Sequence, residues 1–284
     1  WAVGIAASDG WANYRHQADA LYMYQLLKKS GYSDDHIVLV LADDIATHRK
    51  NKKSGEIYAR LGGENLYTSD IQIDYLLSEL TADDISTIMT GGTVDVESRT
   101  ADRSEHPLLA ETPTALATDD KADILWFWSG HGANRDGKST LGQFVWQGKG
   151  SDGFTTERMN ATLSAMSSGE NKRFRKMLII AEPCYSASVL NVAQNENYKG
   201  VLAFTAANGS ETSFADLYSV ELKVWLSNRF TRNFTDKVVN DKTIVYADLY
   251  KYLVQNTIGS HVQMFNQSNF GNLYMNKPAE FFSR

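Results

Sequence analysis

The 284-residue chain holds a single cysteine, Cys184, just past the apolar run Met177-Leu178-Ile179-Ile180-Ala181. A lone cysteine is by default a small buried hydrophobe. A thiol with a histidine in reach is a nucleophile whose proton the imidazole can take. A second apolar run, Ile124-Leu125-Trp126-Phe127-Trp128, ends in Ser129-Gly130-His131-Gly132, so a histidine is carried at a strand end in the same manner. Polar clusters follow two further runs: Asn13-Tyr14-Arg15-His16 after Trp1 to Ala7, and Ser210 to Asp216 after Gly200 to Ala206. In a parallel α/β sheet the carboxyl ends of the strands share one rim, where reacting groups collect. The four clusters can therefore face one cleft, with Cys184 as candidate nucleophile and His131 as candidate base.

The elements that must carry these residues read as follows. A strand over Trp1 to Ala7, an amphipathic helix from Gln17 to the Ser30-Gly31 stop and a strand over His36 to Ala42 form one right-handed βαβ unit. Thr81-Ala82-Asp83-Asp84 has capping-box character and opens a short helix ending at Met89. Gly142 to Trp146 suits a hairpin edge, and Thr155 caps a helix over about 156–166. The strand Lys176 to Ala181 leads to Cys184, Val189 to Val192 reads as a turn of helix, and Gly200 to Ala206 is a further strand. Helices are expected around Val220 to Phe230 and Tyr246 to Gln255. Strands alternating with helices predict an α/β fold whose mostly parallel sheet is covered on both faces. Residues 1–284 read as one domain, with a mobile and functional loop expected over the aperiodic stretch 93–120.

Composition narrows the function. A formal net charge of -6 with scattered basic residues carries no footprint for nucleic acid. One cysteine excludes an internal disulfide framework, and no Cys/His spacing resembles a zinc site, so neither metal nor cofactor is expected. No apolar run approaches the roughly 20 residues that span a bilayer. The chain opens on strand-like residues with no basic leader before them, which says nothing either way about a targeting segment, and the expected setting is secreted or periplasmic. Sequons at Asn160, Asn208, Asn233 and Asn266 bear only on a eukaryotic secretory route. Oligomeric state is not readable from the chain.

Several collinear motifs carry a resemblance. Trp1 to Asp19 (WAVGIAASDGWANYRHQAD), Ile37 to Ala46, the Ser-Gly-His-Gly turn, Glu182-Pro183-Cys184-Tyr185-Ser186-Ala187-Ser188, Thr205 to Asn208 and Ser260-His261-Val262 resemble the legumain-type cysteine peptidases. Leu41 to Ala46 and Asp70 to Tyr75 look closer to the catalytic subunit of the glycosylphosphatidylinositol transamidase, a relative with the same dyad. The resemblance implies a caspase-like three-layer α/β/α sandwich and assigns roles by position. Cys184 is the implied nucleophile, forming a thioester acyl-enzyme, and His131 the implied base and acid. The backbone N–H groups of Gly132 and Cys184 are the implied oxyanion donors, and Asn13 the group that orients the histidine. Arg15 and Asp216 match the positions that recognise an asparagine side chain, which offers an acceptor oxygen and a donor NH₂, with His16, Glu182 and Ser213 beside them. The implied activity is cleavage of peptide or protein substrates after asparagine. A transamidase or ligase that resolves the same acyl-enzyme with an amine is the alternative, and a noncatalytic protein retaining the fold is a third. Departures fall at Ser129-Gly130, at Pro183 and in the short segment between Ser213 and Asp216, and no counterpart of the long C-terminal inhibitory domain of animal legumains is expected.

Overall fold

The computed structural model describes residues 1–96, 103–145 and 151–282. In chain order it holds β1 (Ala2–Ala7), α1 (Tyr14–Lys29), β2 (Ile37–Leu41), β3 (Tyr75–Leu76), α2 (Ala82–Met89), β4 (Asp123–Gly130), β5 (Gly132–Arg135), β6 (Lys138–Val145), β7 (Ser151–Thr155) and α3 (Thr156–Ser167). There follow β8 (Lys176–Ala181), α4 (Ser186–Leu190), β9 (Val201–Thr205), β10 (Ala215–Ser219), β11 (Val224–Asn228), α5 (Arg229–Asn240), α6 (Tyr246–Asn256), β12 (Gln263–Phe265) and α7 (Gln267–Phe270).

Seven strands form the central sheet in the order β12-β9-β8-β4-β1-β2-β3, all parallel except β12, which runs antiparallel to β9. Parallel strands buried on both faces must be apolar throughout, and the period of two then sorts their side chains into two layers. Leu125 and Phe127 of β4 join α1, α5 and α6 in one core with Leu21, Phe234 and Leu249. Ile124, Trp126 and Trp128 of the same strand join α2 and α3 in the other, with Ile85, Met159 and Leu163. The result is the three-layer α/β/α sandwich that the alternation of elements predicts. Among the described residues no helix is long and apolar enough to cross a membrane.

Thr81 and Thr155 cap their helices as the sequence predicts, each side chain accepting a backbone N–H of the first turn. Three expectations need correction. Helix α1 begins at Tyr14 rather than Gln17, because Tyr14 is buried in the core and accepts the Tyr58 N–H at 2.6 Å, so the polar Arg15-His16 pair is its first turn. The segment expected as a helix over Val220 to Phe230 is mostly the β10–β11 hairpin, and helix starts only at Arg229. Val224 and Leu226 are buried while Trp225 between them is exposed, a period of two that outweighs any helical pattern. The helical turn expected at Val189 to Val192 begins earlier, at Ser186, directly behind Cys184. Gly142 and Phe144 lie in a three-stranded sheet, β5-β6-β7, while Trp146 falls outside the described residues. So do residues 97–102 of the 93–120 loop; beyond them, Ile73 donates to the Leu108 carbonyl and Thr114 to Asp74 Oδ1, which ties the loop to the sheet edge.

Candidate active site

Four strand ends meet at the carboxyl rim of the sheet. After β1 the chain turns at Gly10, whose φ of 82° lies in the region open to glycine, and a single 3₁₀ turn over Trp11–Asn13 delivers Asn13 to the start of α1. Strand β4 runs two residues beyond its apolar core to Gly130, so His131 emerges next to the β1 end. Strand β8 ends at Ala181, and Glu182 donates its N–H to the Trp128 carbonyl of β4, which holds the Cys184 turn beside the histidine turn. Tyr185, next after Cys184, sits at a left-handed φ of 56° and its N–H is taken by the Glu211 carbonyl at 2.8 Å. An ordinary L-residue held in that conformation is costly and persists only where its surroundings fix it.

The contact between the two turns is tight enough to exclude a side chain. A Cβ placed on Gly132 would lie 1.8 Å from the Cys184 carbonyl oxygen and 3.0 Å from its nitrogen, so only glycine fits.

The imidazole is oriented by Asn13. Asn13 Nδ2 donates to the Asp9 carbonyl at 2.8 Å, which leaves Oδ1 facing His131 Nε2 at 2.8 Å. An amide oxygen accepts only, so Nε2 carries the hydrogen and Nδ1 keeps the free lone pair of the neutral ring. His131 remains open to solvent on its outer side, yet the protein packed around it and the Arg15 cation hold it below the ordinary histidine value. His16, buried beneath, stands edge-on to it at a ring separation of 4.9 Å and bonds Ser8 Oγ through Nδ1 at 2.5 Å. Burial, then the charges of Arg15 and His131, push His16 far below the usual range, so it is neutral. The half-buried Cys184 thiol lies against Ser213, with Sγ 3.7 Å from Oγ and 4.0 Å from the carbonyl oxygen.

On the far side of Cys184 the expected recognition residues gather around the β10–β11 hairpin. Arg15 donates through Nε to Asn228 Oδ1 and through Nη1 to the Ala12 carbonyl, both at 3.0 Å. Glu182 is buried, and its Oε2 accepts the Thr231 N–H and hydroxyl, each at 2.7 Å. Burial, reinforced by the charge of Asp19, holds the Glu182 carboxyl far above the usual carboxylate range. Asp216 pairs across the hairpin with Ser227, adjacent to the residue that holds Arg15. Its own hydrogen bonds go to Arg232 at 2.8 Å and the Leu217 N–H at 3.0 Å rather than to Arg15. Sequence reasoning missed Asn228, Thr231, Arg232 and Asp19. Of these only Asp19 carried a signal, a polar side chain one helical turn from Arg15 amid apolar neighbours. A cavity of about 530 Å³ adjoins His131, lined by Gly132, Arg135, Lys138, Thr140 and Asp152 among others.

A thiol and an oriented imidazole on neighbouring strand ends of a parallel sheet is an arrangement of the cysteine peptidases. Comparison supplies the family: the Peptidase C13 family matches residues 1–280, and the chain belongs to it. The chain is 28% identical over 242 residues to a putative GPI-anchor transamidase of Caenorhabditis elegans, covering 84% of this chain and 67% of that protein. It is 27% identical over 275 residues to the legumain of Mus musculus, covering 96% and 57%. To the GPI-anchor transamidase of Bos taurus it is 30% identical over 234 residues, covering 81% and 52%. The chain thus spans between about half and two thirds of the length of these relatives. A solved protein structure from Geobacter sulfurreducens superposes over 97% of this chain and 96% of its own with a TM-score of 0.50 at 12% identity, a likeness of fold alone.

Proposed function

We propose that this chain is a cysteine endopeptidase that cleaves peptide substrates after asparagine. The observation that carries the reading is the fixed amide of Asn13, which commits His131 Nε2 as donor and leaves Nδ1 as the basic nitrogen. In the proposed mechanism Nδ1 takes the Cys184 thiol proton, and the thiolate attacks the scissile carbonyl carbon. The carbonyl electrons move onto oxygen, where the N–H groups of Gly132 and Cys184 stabilise the charge. Collapse breaks the C–N bond, His131 returns its proton to the leaving amine, and a thioester remains on Cys184. Water, deprotonated by the same imidazole, then attacks the thioester and frees the thiol. Because the amine takes its proton from His131, the part of the substrate after the cut departs across the imidazole, where the adjoining cavity opens.

The asparagine side chain is proposed to place its oxygen against Arg15 and its NH₂ toward Asp216, with Ser213, Glu182 and His16 around it. A carboxylate offers about four lone-pair sites, so Asp216 retains acceptors beyond its bonds to Arg232 and Leu217. A second reading, resolution of the thioester by an amine, is favoured by the relatives named GPI-anchor transamidase.

The test is turnover of peptides differing only in the residue before the scissile bond, with and without an added amine. Asparagine is expected to lead and Cys184→Ala to abolish turnover. A preference for lysine, or hydrolysis surviving that substitution, overturns the reading, and product joined to the amine selects the second one.

A further inference from the structure

Arg15 and Asp19 lie one turn apart on α1, the spacing at which a guanidinium and a carboxylate commonly bond directly. Here they are bridged instead. Asp19 is fully buried; its Oδ1 accepts from Ser227 Oγ at 2.6 Å, and its Oδ2 accepts the Asn228 N–H at 3.0 Å and Asn228 Nδ2 at 2.7 Å. Asn228, also buried, then presents Oδ1 to Arg15 Nε. Taking two donors, Asp19 Oδ2 is an acceptor whether or not the group is protonated. A flipped Asn228 amide would set oxygen against oxygen on one side and N–H against N–H on the other. Among the described residues Arg15 bonds only through Nε and Nη1, so Nη2 keeps its donors for a ligand.

We propose that Asp19 sets the position of Arg15 through the side-chain amide of Asn228, and so determines how tightly the pocket holds an asparagine side chain. Asp19 touches no substrate: it is a positioning residue, 213 positions of sequence linking the next step from Asn228 to Arg15. The charged groups facing the network are Arg60, whose Nη1 reaches Ser227 Oγ at 3.3 Å, and Glu182 at the end of β8. The inference rests on the pocket proposed for asparagine.

Wild-type turnover of asparagine peptides is measured first: its absence overturns the pocket and with it the role proposed for the relay, whereas turnover without the variant effects below overturns the relay alone. With turnover in hand, a double-mutant cycle on KM reads the relay. Asp19→Ala and Asn228→Ala are each expected to raise KM for an asparagine peptide about tenfold with kcat within about threefold, since a hydrogen bond to a charged group is lost or misdirected. The double variant is expected to be no worse than Asn228→Ala alone, because Asp19 acts through that amide. Asp19→Asn should stay within about threefold of wild type, its carboxamide oxygen replacing Oδ2 while its NH₂ donates to Ser227. Thermal melts monitor folding throughout. Unchanged KM in Asp19→Ala, or single effects that multiply to about a hundredfold in the double variant, overturns the proposal. Should Asp19→Ala fail to fold, Asn228→Ala decides alone: unchanged KM overturns it.

Discussion

Gly132→Ala tests the geometry of the site most directly. The added methyl would start 1.8 Å from the Cys184 carbonyl oxygen, 2.8 Å from its carbon and 3.0 Å from its nitrogen. Ordinary contact begins near 3.4 Å, and all three atoms belong to backbone, so no side chain can rotate away. The histidine and cysteine turns must therefore part by roughly 1.2–1.6 Å, an overpacking that costs about 1–3 kcal/mol. A displacement of about 1 Å between reacting groups costs on the order of 10²-fold in rate. It would also draw the Gly132 N–H away from the position proposed for the oxyanion. We expect kcat to fall at least 10²-fold while the thermal midpoint drops only a few degrees. Peptide hydrolysis gives kcat, and alkylation of Cys184 by iodoacetamide checks that the thiol stays accessible. A folded Gly132→Ala protein with kcat within tenfold of wild type would refute the claim that the close approach of these turns builds the site.

Two further predictions concern protons. Burial pushes Asp19 up to about 7 and Asp74 up to about 6, and Glu182 is raised by the same cause. An acid whose folded value exceeds its unfolded one of about 4 binds more protons when folded, so stability falls as pH rises from about 4; for Asp19 and Asp74 the loss is complete above about 7, and Glu182 adds to it in the same direction. The thermal midpoint should thus be several degrees higher at pH 5.5 than at pH 8, and Asp19→Asn should flatten that slope; a midpoint that rises with pH over this window contradicts the assignment. For the dyad, a histidine held below its ordinary value stays neutral into mild acid, so the acid limb of kcat/KM should lie below pH 6.5 and move upward in Arg15→Gln. Asn13→Ala, which frees the ring, should lower kcat roughly 10- to 100-fold with little change in KM. An unchanged kcat would show that Asn13 does not orient the imidazole.

The chemical half of the site was legible because it is local. Cys184, His131 and Asn13 each stand within a few residues of a strand whose apolar run announces it, and the parallel topology brings those ends together. The recognition half is not local. Asn228 reaches Arg15 across 213 positions, and Thr231 reaches Glu182 across 49. No periodicity relates such pairs, since burial and hydrogen-bond demand select them only after the sheet has formed. The hairpin that supplies Asn228 falls in the stretch Val220 to Phe230 expected as helix, and Thr231 lies just beyond it on α5. Within the second strand, the burial of Val224 and Leu226 on either side of the outward Trp225 is the period of two that marks a strand. In the same way the Arg15-His16 pair reads as loop because its polarity masks the burial of Tyr14 and His16 on either side of Arg15.

The buried acids explain each other's cost. Two carboxyl groups, Asp19 and Glu182, sit within electrostatic reach of one another beneath Arg15, and neither is exposed by more than 1%. Burying such groups is destabilising unless every lone pair and proton is satisfied, and an apolar cluster of similar volume would commonly be at least as stable. Glu182 Oε1 has no hydrogen-bond partner among the described residues, so the network is not optimised for folding. What it achieves is orientation: Thr231 fixes Glu182, two residues before Cys184, and Asp19 fixes Asn228 and through it Arg15. Raised carboxyl values follow from that arrangement and so does the predicted loss of stability toward alkaline pH. Substituting both acids by amides should therefore raise stability at pH 8, with any weakening of asparagine recognition coming from Glu182→Gln, since Asp19→Asn keeps the acceptor that Asn228 needs. A double variant that loses stability there as well would mean that the acids hold the fold and not the pocket.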